Sequence, residues 1–274
     1  MSVKVLFEVM VPFWTGINSG ENGYFMDTLE SIVSKLKTEQ RVVVFTGAGV
    51  SAESGIPTFR DEFDGLWSQY SVYDVASVLG FTYDPKLVWE WHEWLRKKIL
   101  DAEPNPAHQA IALMETMLPD FTLITQNVDG LHQRAGNTKV IELHGNIHRT
   151  RCFDEDIPIE KWANTNEVPP RCPHCGGPLR PDVVWFGEAL SEDSYSKAKE
   201  AVRNCTLLFS IGTSSLIYPA AVFPFEAAHR GAMVVQINPN PTELDQVTPY
   251  TLRGNAGEWM PTIVNAAWPE SRRL

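Results

Sequence analysis

Between residues 26 and 36 the apolar positions Met26, Leu29, Ile32, Val33 and Leu36 recur at steps of three and four, the stripe of an amphipathic helix. The next apolar run, Val42-Val43-Val44-Phe45, is short and uninterrupted, as expected of a parallel strand covered on both faces. Runs of the same kind stand at 121–124, 140–143, 206–211 and 233–237, and helical stretches over 87–100, 106–118, 195–204 and 220–230 lie between most of them. This alternation predicts an α/β protein with a doubly wound, parallel, Rossmann-like sheet. Two segments interrupt the rhythm. Residues 147–181 carry prolines, three cysteines and no long apolar strand, so they read as a small inserted module, and 58–104 read as a second, helical insert. The sheet domain is then 26–57, 105–146 and 182–274, preceded by an extension over 1–25.

With 43% hydrophobic and 21% charged residues among 274, the chain falls with soluble globular proteins, which excludes disorder and fibrous folds. At this length folding removes about 75% of the unfolded surface from water, so the core needs no disulfide support. Lys and Arg number 23 against 34 Asp and Glu, a net charge of −11 that argues against nucleic acid or an anionic membrane as partner. No apolar run approaches the roughly 20 residues that span a bilayer. The start, MSVKVLFEVMVPFW, has Glu8 inside its apolar stretch and no small-residue cleavage site, and is a poor signal or transit peptide. Four cysteines are too few for a disulfide scaffold in a chain this long, and they suit a reducing cytoplasm; the chain is expected to be a monomer. Cys172 and Cys175 have the spacing of a metal clip, and Cys205, heading an apolar strand, reads as a small buried hydrophobe.

The run 42–45 leads directly into Thr46-Gly47-Ala48-Gly49-Val50-Ser51-Ala52, a G-x-G-x-x-A turn between strand and helix. Such glycines allow a tight turn and close approach of a pyrophosphate, which the amides and dipole of the following helix stabilise. Taken alone, the pattern fits a purely structural turn equally well. The acidic ribose ligand expected about 20 residues on is missing, because Asp61 and Asp64 follow Pro57 in a loop, so this is not an ordinary dehydrogenase half-site.

The turn continues as GAGVSAESGIPTFRD at 47–61, followed by TQNVDGLHQRAG at 125–136, ELHGNI at 142–147, CPHCGGPLRPDVVWFGE at 172–188, GTSS at 212–215 and INPNPT at 237–242. Together, in this order, they resemble the sirtuins, NAD-dependent protein lysine deacylases, and most of all the bacterial and mitochondrial class III branch. The resemblance covers residues 28–265. It implies that the acyl oxygen of a modified lysine attacks the ribose carbon bearing nicotinamide, giving nicotinamide, free lysine and O-acyl-ADP-ribose.

Residue by residue, the resemblance makes His144 the catalytic base for a ribose hydroxyl, a task suited to an imidazole with an unperturbed pKa near 6.5. A lone histidine is more often structural, but the carboxyl end of a parallel strand is where open α/β sheets place ligands. Asn127 and Asp129 match the nicotinamide site and Gln126 the nicotinamide ribose; an Asn-x-Asp pair is otherwise a common turn. Phe59 and Arg60 match the mobile cofactor loop of the 58–104 insert. Gly47, Ala48, Gly49, Ser51 and Ile56 match the phosphate and nicotinamide side, Gly212, Thr213 and Ser214 the adenosine half, Asn238 the adenosine ribose, and Asn255 with Ala256 the adenine. Val184, Trp185 and Phe186 match the channel for acylated lysine side chains of proteins, where the backbone would pair with substrate as an added strand; without Gly187-Glu188 they would read as an ordinary apolar strand.

Two departures stand out. Sirtuins hold one zinc with two C-x-x-C pairs, whereas here the first pair reads Cys152-Phe153-Asp154-Glu155, so Cys152, Cys172 and Cys175 need a fourth ligand. Glu155 holds the missing cysteine's place, with Asp154, Asp156, His148 or water as alternatives, and an oxygen ligand binds zinc less firmly. Class III members that remove succinyl or malonyl groups use a Tyr and an Arg, and these positions are His92 and Leu95. Losing the Arg removes charge-assisted hydrogen bonds of roughly 1.5–3 kcal/mol each, which predicts a preference for acetyl or longer apolar acyl groups. Arg96 restores the carboxylate partner only if the register shifts by one, and His92 is equally a plain surface residue. Competing readings are mono-ADP-ribosyl transfer to protein, NAD hydrolysis, and a non-catalytic NAD or ADP-ribose sensor.

Overall fold

A computed structural model describes residues 19–38, 41–58 and 70–270 of the chain. Six strands, β1 (Arg41–Thr46), β2 (Asp120–Thr125), β3 (Val140–Glu142), β6 (Leu207–Ile211), β7 (Met233–Ile237) and β8 (Tyr250–Leu252), form one sheet in the order β3-β2-β1-β6-β7-β8. Every pairing is parallel. The remaining two, β4 (Gly145–Cys152) and β5 (Leu179–Val183), pair antiparallel in a separate module.

The uninterrupted apolar runs follow from burial on both faces. Val42 and Val44 point to one side, where the helices Ser19–Thr38, Pro106–Met117 and Ala256–Ala267 contribute Leu29, Ile32, Ile111, Met114, Met260 and Ile263. Val43 and Phe45 point to the other, against Ala198 and Val202 of helix Glu192–Asn204 and Phe223 and Ala227 of helix Phe223–His229. Burying each large side chain contributes about 1.5–3 kcal/mol, so the alternation along β1 secures two layers at once. The order of the sheet reverses between β1 and β6, and open α/β sheets take ligands outside the carboxyl ends of the strands at that point.

A third cluster lies off the sheet. Helix Pro85–Asp101 starts with Pro85 in its first turn and Asp84 accepting from the Leu87 amide at 2.9 Å, both favourable helix-start signals. Its buried face, with Trp91, Leu95 and Ile99, packs with Ile147 of β4, Val183 of β5 and Trp185. Helix and small module are thus stitched together around an aromatic core.

The differences from the sequence pattern have local causes. β4 reads GNIHRTRC, exposing polar side chains, so it shows no apolar run. β8 is three residues long at the sheet edge. The stretch 220–230 opens as a short 3-10 turn, Ala220–Val222, before Pro224 is accommodated in the first turn of an α-helix. β4 crosses the 146/147 boundary and β5 the 181/182 boundary, so the module grows directly out of the segments that flank the site.

Candidate active site

The carboxyl ends of β1, β2, β6 and β7 are fastened to each other by the residues that follow them. Gln126 donates its amide N–H to the Thr46 carbonyl at 3.0 Å and its side-chain Nε2 to Thr213 Oγ1 at 3.0 Å. Asn238 Nδ2 donates to the Thr213 carbonyl at 2.8 Å. Gly47 and Gly49 pack against the opposite turn: a Cβ on Gly49 would stand 2.8 Å from Gly212 Cα and O, and one on Gly47 2.9 Å from Gly212 O. The amides of Gly47, Gly49, Val50 and Ser51 donate to backbone carbonyls, and the helix Gly49–Ala52 is a single turn. In this structure the glycines therefore serve the close approach of two protein turns, and those four amides are already engaged rather than free for an anion as the pattern had suggested.

Asn127, Asp129 and Ser51 form a buried relay. Asn127 Nδ2 donates to the Gly47 carbonyl and to Ser51 Oγ, each at 3.1 Å, and Ser51 Oγ donates to Asp129 Oδ2 at 2.7 Å. Asp129 Oδ1 also accepts from the Leu131 amide at 2.8 Å. Burial pushes the Asp129 carboxyl above its ordinary value, opposed by the Leu131 and Ser51 hydrogen bonds. Beneath this loop Thr125 Oγ1 accepts from the Asn127 amide at 3.0 Å and from Thr46 Oγ1 at 2.8 Å, and His132 Nε2 lies 3.0 Å from Thr46 Oγ1. Asn105 caps helix Pro106–Met117 and ties it to the turn by donating Nδ2 to the Val50 carbonyl at 2.7 Å.

His144 lies just past the end of β3, its Nδ1 2.9 Å from the Gln126 carbonyl. A carbonyl only accepts, so Nδ1 carries the proton and Nε2 is the basic nitrogen. Burial lowers its pKa from 6.5, which keeps the ring neutral and proton-accepting at neutral pH. The His144 carbonyl accepts from the Val184 amide at 2.9 Å, placing the imidazole loop beside the 184–186 segment.

In that segment Trp185 is buried, whereas Val184 and Phe186 are half-buried on the other side of the alternation. The amides of Val184, Trp185 and Phe186 donate to the His144 carbonyl, Glu188 Oε2 and the Ala76 carbonyl, so an added substrate strand could not use these three groups. His92 is 3% exposed, not a surface residue, and Leu95 is buried in the same aromatic cluster. His92 Nδ1 donates to the Val88 carbonyl at 2.8 Å, which leaves Nε2 to accept from Trp185 Nε1 at 3.4 Å, and burial lowers its pKa to about 3. Ile56 packs into this cluster too. At the far end, Ala256 is buried in the sheet core as the first residue of helix Ala256–Ala267, Asn255 is its exposed N-cap, and Glu53 accepts from the Gly257 amide at 2.8 Å. Ser214 is half-buried beside Thr213. Phe59 and Arg60 lie outside the described residues.

In the small module one ligand atom from each of Cys152, Glu155, Cys172 and Cys175 lies within 4.8 Å of all the others. The Cys152 and Cys175 sulfurs are 3.4 Å apart, and Cys172 Sγ is 3.9 Å from Glu155 Oε2. Tetrahedral zinc, with bonds near 2.0–2.3 Å, needs donor separations of about this size, so the set fits the ion. Two of the alternatives are engaged elsewhere: Asp156 pairs with Arg151 at 2.7 Å, and His148 Nε2 lies 3.2 Å from the Asp129 carbonyl. Arg180, which sequence alone did not single out, makes an ion pair with Glu188 beside Trp185 at 2.5 Å; an Arg flanked by apolar positions of a strand was the available signal.

A parallel sheet that reverses beside a glycine turn, with an imidazole and a buried amide–carboxylate pair at its carboxyl edge, defines a dinucleotide-binding α/β protein. The model of the Sir2 family matches residues 47–219, and the chain belongs to that family. It is 49% identical over 249 residues to an NAD-dependent protein deacylase of Methylococcus capsulatus, an alignment covering 88% of this chain and 98% of that one. Among solved structures, a Sir2 homolog in complex with NAD superposes with a TM-score of 0.81 at 42% identity, covering 87% of this chain and 93% of that chain. A Sir2 protein bound to a myristoylated histone peptide gives 0.72 at 34% identity, covering 90% and 99%.

Proposed function

We infer that this chain is an NAD-dependent protein lysine deacylase that yields nicotinamide, free lysine and O-acyl-ADP-ribose. The observation that carries the reading is His144: a neutral imidazole whose Nδ1 is fixed on the Gln126 carbonyl, whose Nε2 is the basic nitrogen, and whose own backbone is bonded to the 184–186 segment. When bound, NAD supplies an electrophilic ribose carbon as nicotinamide departs. Asn127 and Asp129, locked to Ser51, bind the nicotinamide side, and Gln126 lies at the nicotinamide ribose. His144 Nε2 takes the proton of a ribose hydroxyl, a role worth about 10²–10⁴ in rate. Gly47, Ala48, Gly49, Ile56, Phe59 and Arg60 serve the phosphate and nicotinamide side, and Gly212, Thr213, Ser214, Asn238, Asn255 and Ala256 the adenosine side. Ala256 offers its backbone there, because its methyl group faces the core.

Val184 and Phe186 hold the acyl-lysine, with Trp185 as their anchor. The acyl preference is for acetyl or longer apolar groups. A neutral His92 engaged with Trp185 and a buried Leu95 offer no cation, and Arg96 donates Nε to the Ile147 carbonyl at 2.9 Å and pairs with Glu93. Cys152, Cys172, Cys175 and Glu155 hold a structural zinc that braces the module. No helix among the described residues is long and apolar enough to cross a membrane. The net charge of −11 supports action on proteins and not on nucleic acid, and the four free cysteines support a reducing cytoplasm.

The test is nicotinamide release with and without an acetyl-lysine peptide, followed by an acyl panel. Release that depends on peptide and matches free lysine formed supports deacylation. Equal release without peptide identifies an NAD hydrolase, label transferred from NAD to protein an ADP-ribosyltransferase, and binding without turnover a sensor. A succinyl-lysine peptide turned over faster than acetyl refutes the acyl preference.

A further inference from the structure

We propose that Arg180, Glu188 and His92 are positioning residues that clamp Trp185 and thereby set Val184 and Phe186, the side chains against which the acyl-lysine docks. The inference rests on the reading of 184–186 as the acyl-lysine segment and gives it a mechanical support. Trp185 is held at three separate places. Its backbone amide donates to Glu188 Oε2 at 2.7 Å. Its indole Nε1 donates to His92 Nε2 at 3.4 Å. Its ring face lies 3.5 Å from the Arg180 guanidinium carbon, a cation–π stack.

The clamp is closed on itself. Arg180 bonds Glu188 through both terminal nitrogens, at 2.5 and 2.9 Å, and one of them also donates to the Val183 carbonyl at 2.8 Å. Arg180 is 4% exposed and the Glu188 side chain 23%, so water screens this pair only in part, and the Arg fork fixes direction as well as distance. Charge is placed here at a desolvation cost that an apolar core would avoid, and such a pair brings geometry rather than net stability. The geometry it brings is that of residues 183–188: the Val183 carbonyl, the Trp185 amide and the Glu188 side chain are tied into one turn, closed by the Glu188 amide on the Trp185 carbonyl at 3.0 Å. Because the backbone stays extended past β5, fixing Trp185 inward leaves Val184 and Phe186 half-buried on the opposite side. The Val184 amide in turn holds the His144 carbonyl, so peptide segment and imidazole loop share one support.

The experiment is steady-state kinetics with an acetyl-lysine peptide, together with NAD titration and thermal melting, on the full chain. Removing Glu188 alone would strand a buried guanidinium and could unfold the module, so the main variant replaces both charges: Arg180→Met with Glu188→Leu. It is expected to melt near the parent and to bind NAD within about twofold of it, while the peptide KM rises about tenfold or more. Glu188→Gln, which keeps an oxygen for the Trp185 amide, should recover most of the peptide KM. Trp185→Phe, which keeps the ring but removes the N–H to His92, should raise it by a smaller factor. A peptide KM in the double variant equal to the parent's, or losses of NAD and peptide binding in equal proportion, overturns the clamp. If the double variant does not fold, Trp185→Phe decides: a peptide KM at the parent value overturns the clamp. A parent that releases nicotinamide without regard to peptide sinks the substrate reading itself, a result distinguishable from failure of the clamp.

Discussion

Mild acid should destabilise this protein through imidazoles that the fold keeps neutral. His92 is buried with its pKa lowered from 6.5 to about 3, and His108 with its pKa lowered to about 4, both chiefly by desolvation. A base whose folded pKa lies below its unfolded value binds its proton only after unfolding. Its contribution is therefore whole above pH 6.5 and is lost as pH falls from 6.5 toward the folded value. At about pH 5 both groups sit 1.5 units below the unfolded pKa and still above their folded values, which at about 1.36 kcal/mol per unit costs about 2 kcal/mol for each. Together they remove about 4 kcal/mol, a large share of the 5–15 typical of a domain. His132, lowered by burial and by His108, acts in the same direction, whereas Asp129, raised by burial, acts in the opposite one. Asp74, Glu115 and Glu188, whose pKa values are lowered, act below the ordinary carboxylate range, under this window. The assay is urea unfolding at about pH 7.5 and about pH 5, on the parent and on His108→Leu. The difference between the two pH values should shrink by about 2 kcal/mol in the variant. Equal stability of the parent at both pH values, or an undiminished difference in His108→Leu, refutes the reasoning.

Replacing His144 by Asn removes the basic nitrogen; peptide-dependent nicotinamide release should fall at least about 10²-fold with melting unchanged, and near-parent turnover would take His144 out of the reaction. Ser51→Ala breaks one hydrogen bond to a carboxylate and one from an amide, which should cost about 2–4 kcal/mol in urea unfolding; a loss under about 0.5 would mean the relay is not formed. Glu155→Cys replaces a hard oxygen by a soft thiolate, so the variant should retain zinc at chelator concentrations that strip the parent, and equal retention counts against Glu155 as a ligand.

The sheet was legible where burial acts on both faces. β1, β2, β6 and β7 each appear within a residue of their apolar runs, because helices on either side bury both faces and leave only a few polar residues, such as Ser210 and Gln236, inside them. Where one face meets water the signal fails, as in β4, where the exposed His148 and Arg149 and the half-buried Arg151 interrupt buried Ile147, Thr150 and Cys152 and a register shift falls between Asn146 and Thr150. The helix at the start of the described chain begins at Ser19, ahead of the apolar stripe, in a Gly- and Asn-containing stretch whose intrinsic propensity argues against helix.

The site was legible as a set of motifs but not as a set of bonds, since local patterns locate residues while pairing is a property of the closed fold. Ser51 and Asp129 are 78 residues apart and meet at 2.7 Å because the turns after β1 and β2 face each other, which no spacing rule encodes. The glycines show how the same residue can be read rightly by position and differently by cause. The fingerprint marks Gly47 and Gly49 as places where something must come close, and in the folded chain what comes close is Gly212. Their conformational need is thus met by the second glycine turn, at the reversal of strand order. A methyl group at Gly49 would have to move backbone, not a flexible side chain. The turn sequence is therefore constrained by assembly of the sheet's two halves before any ligand arrives, and a substitution there would displace the Gly212 turn that faces it.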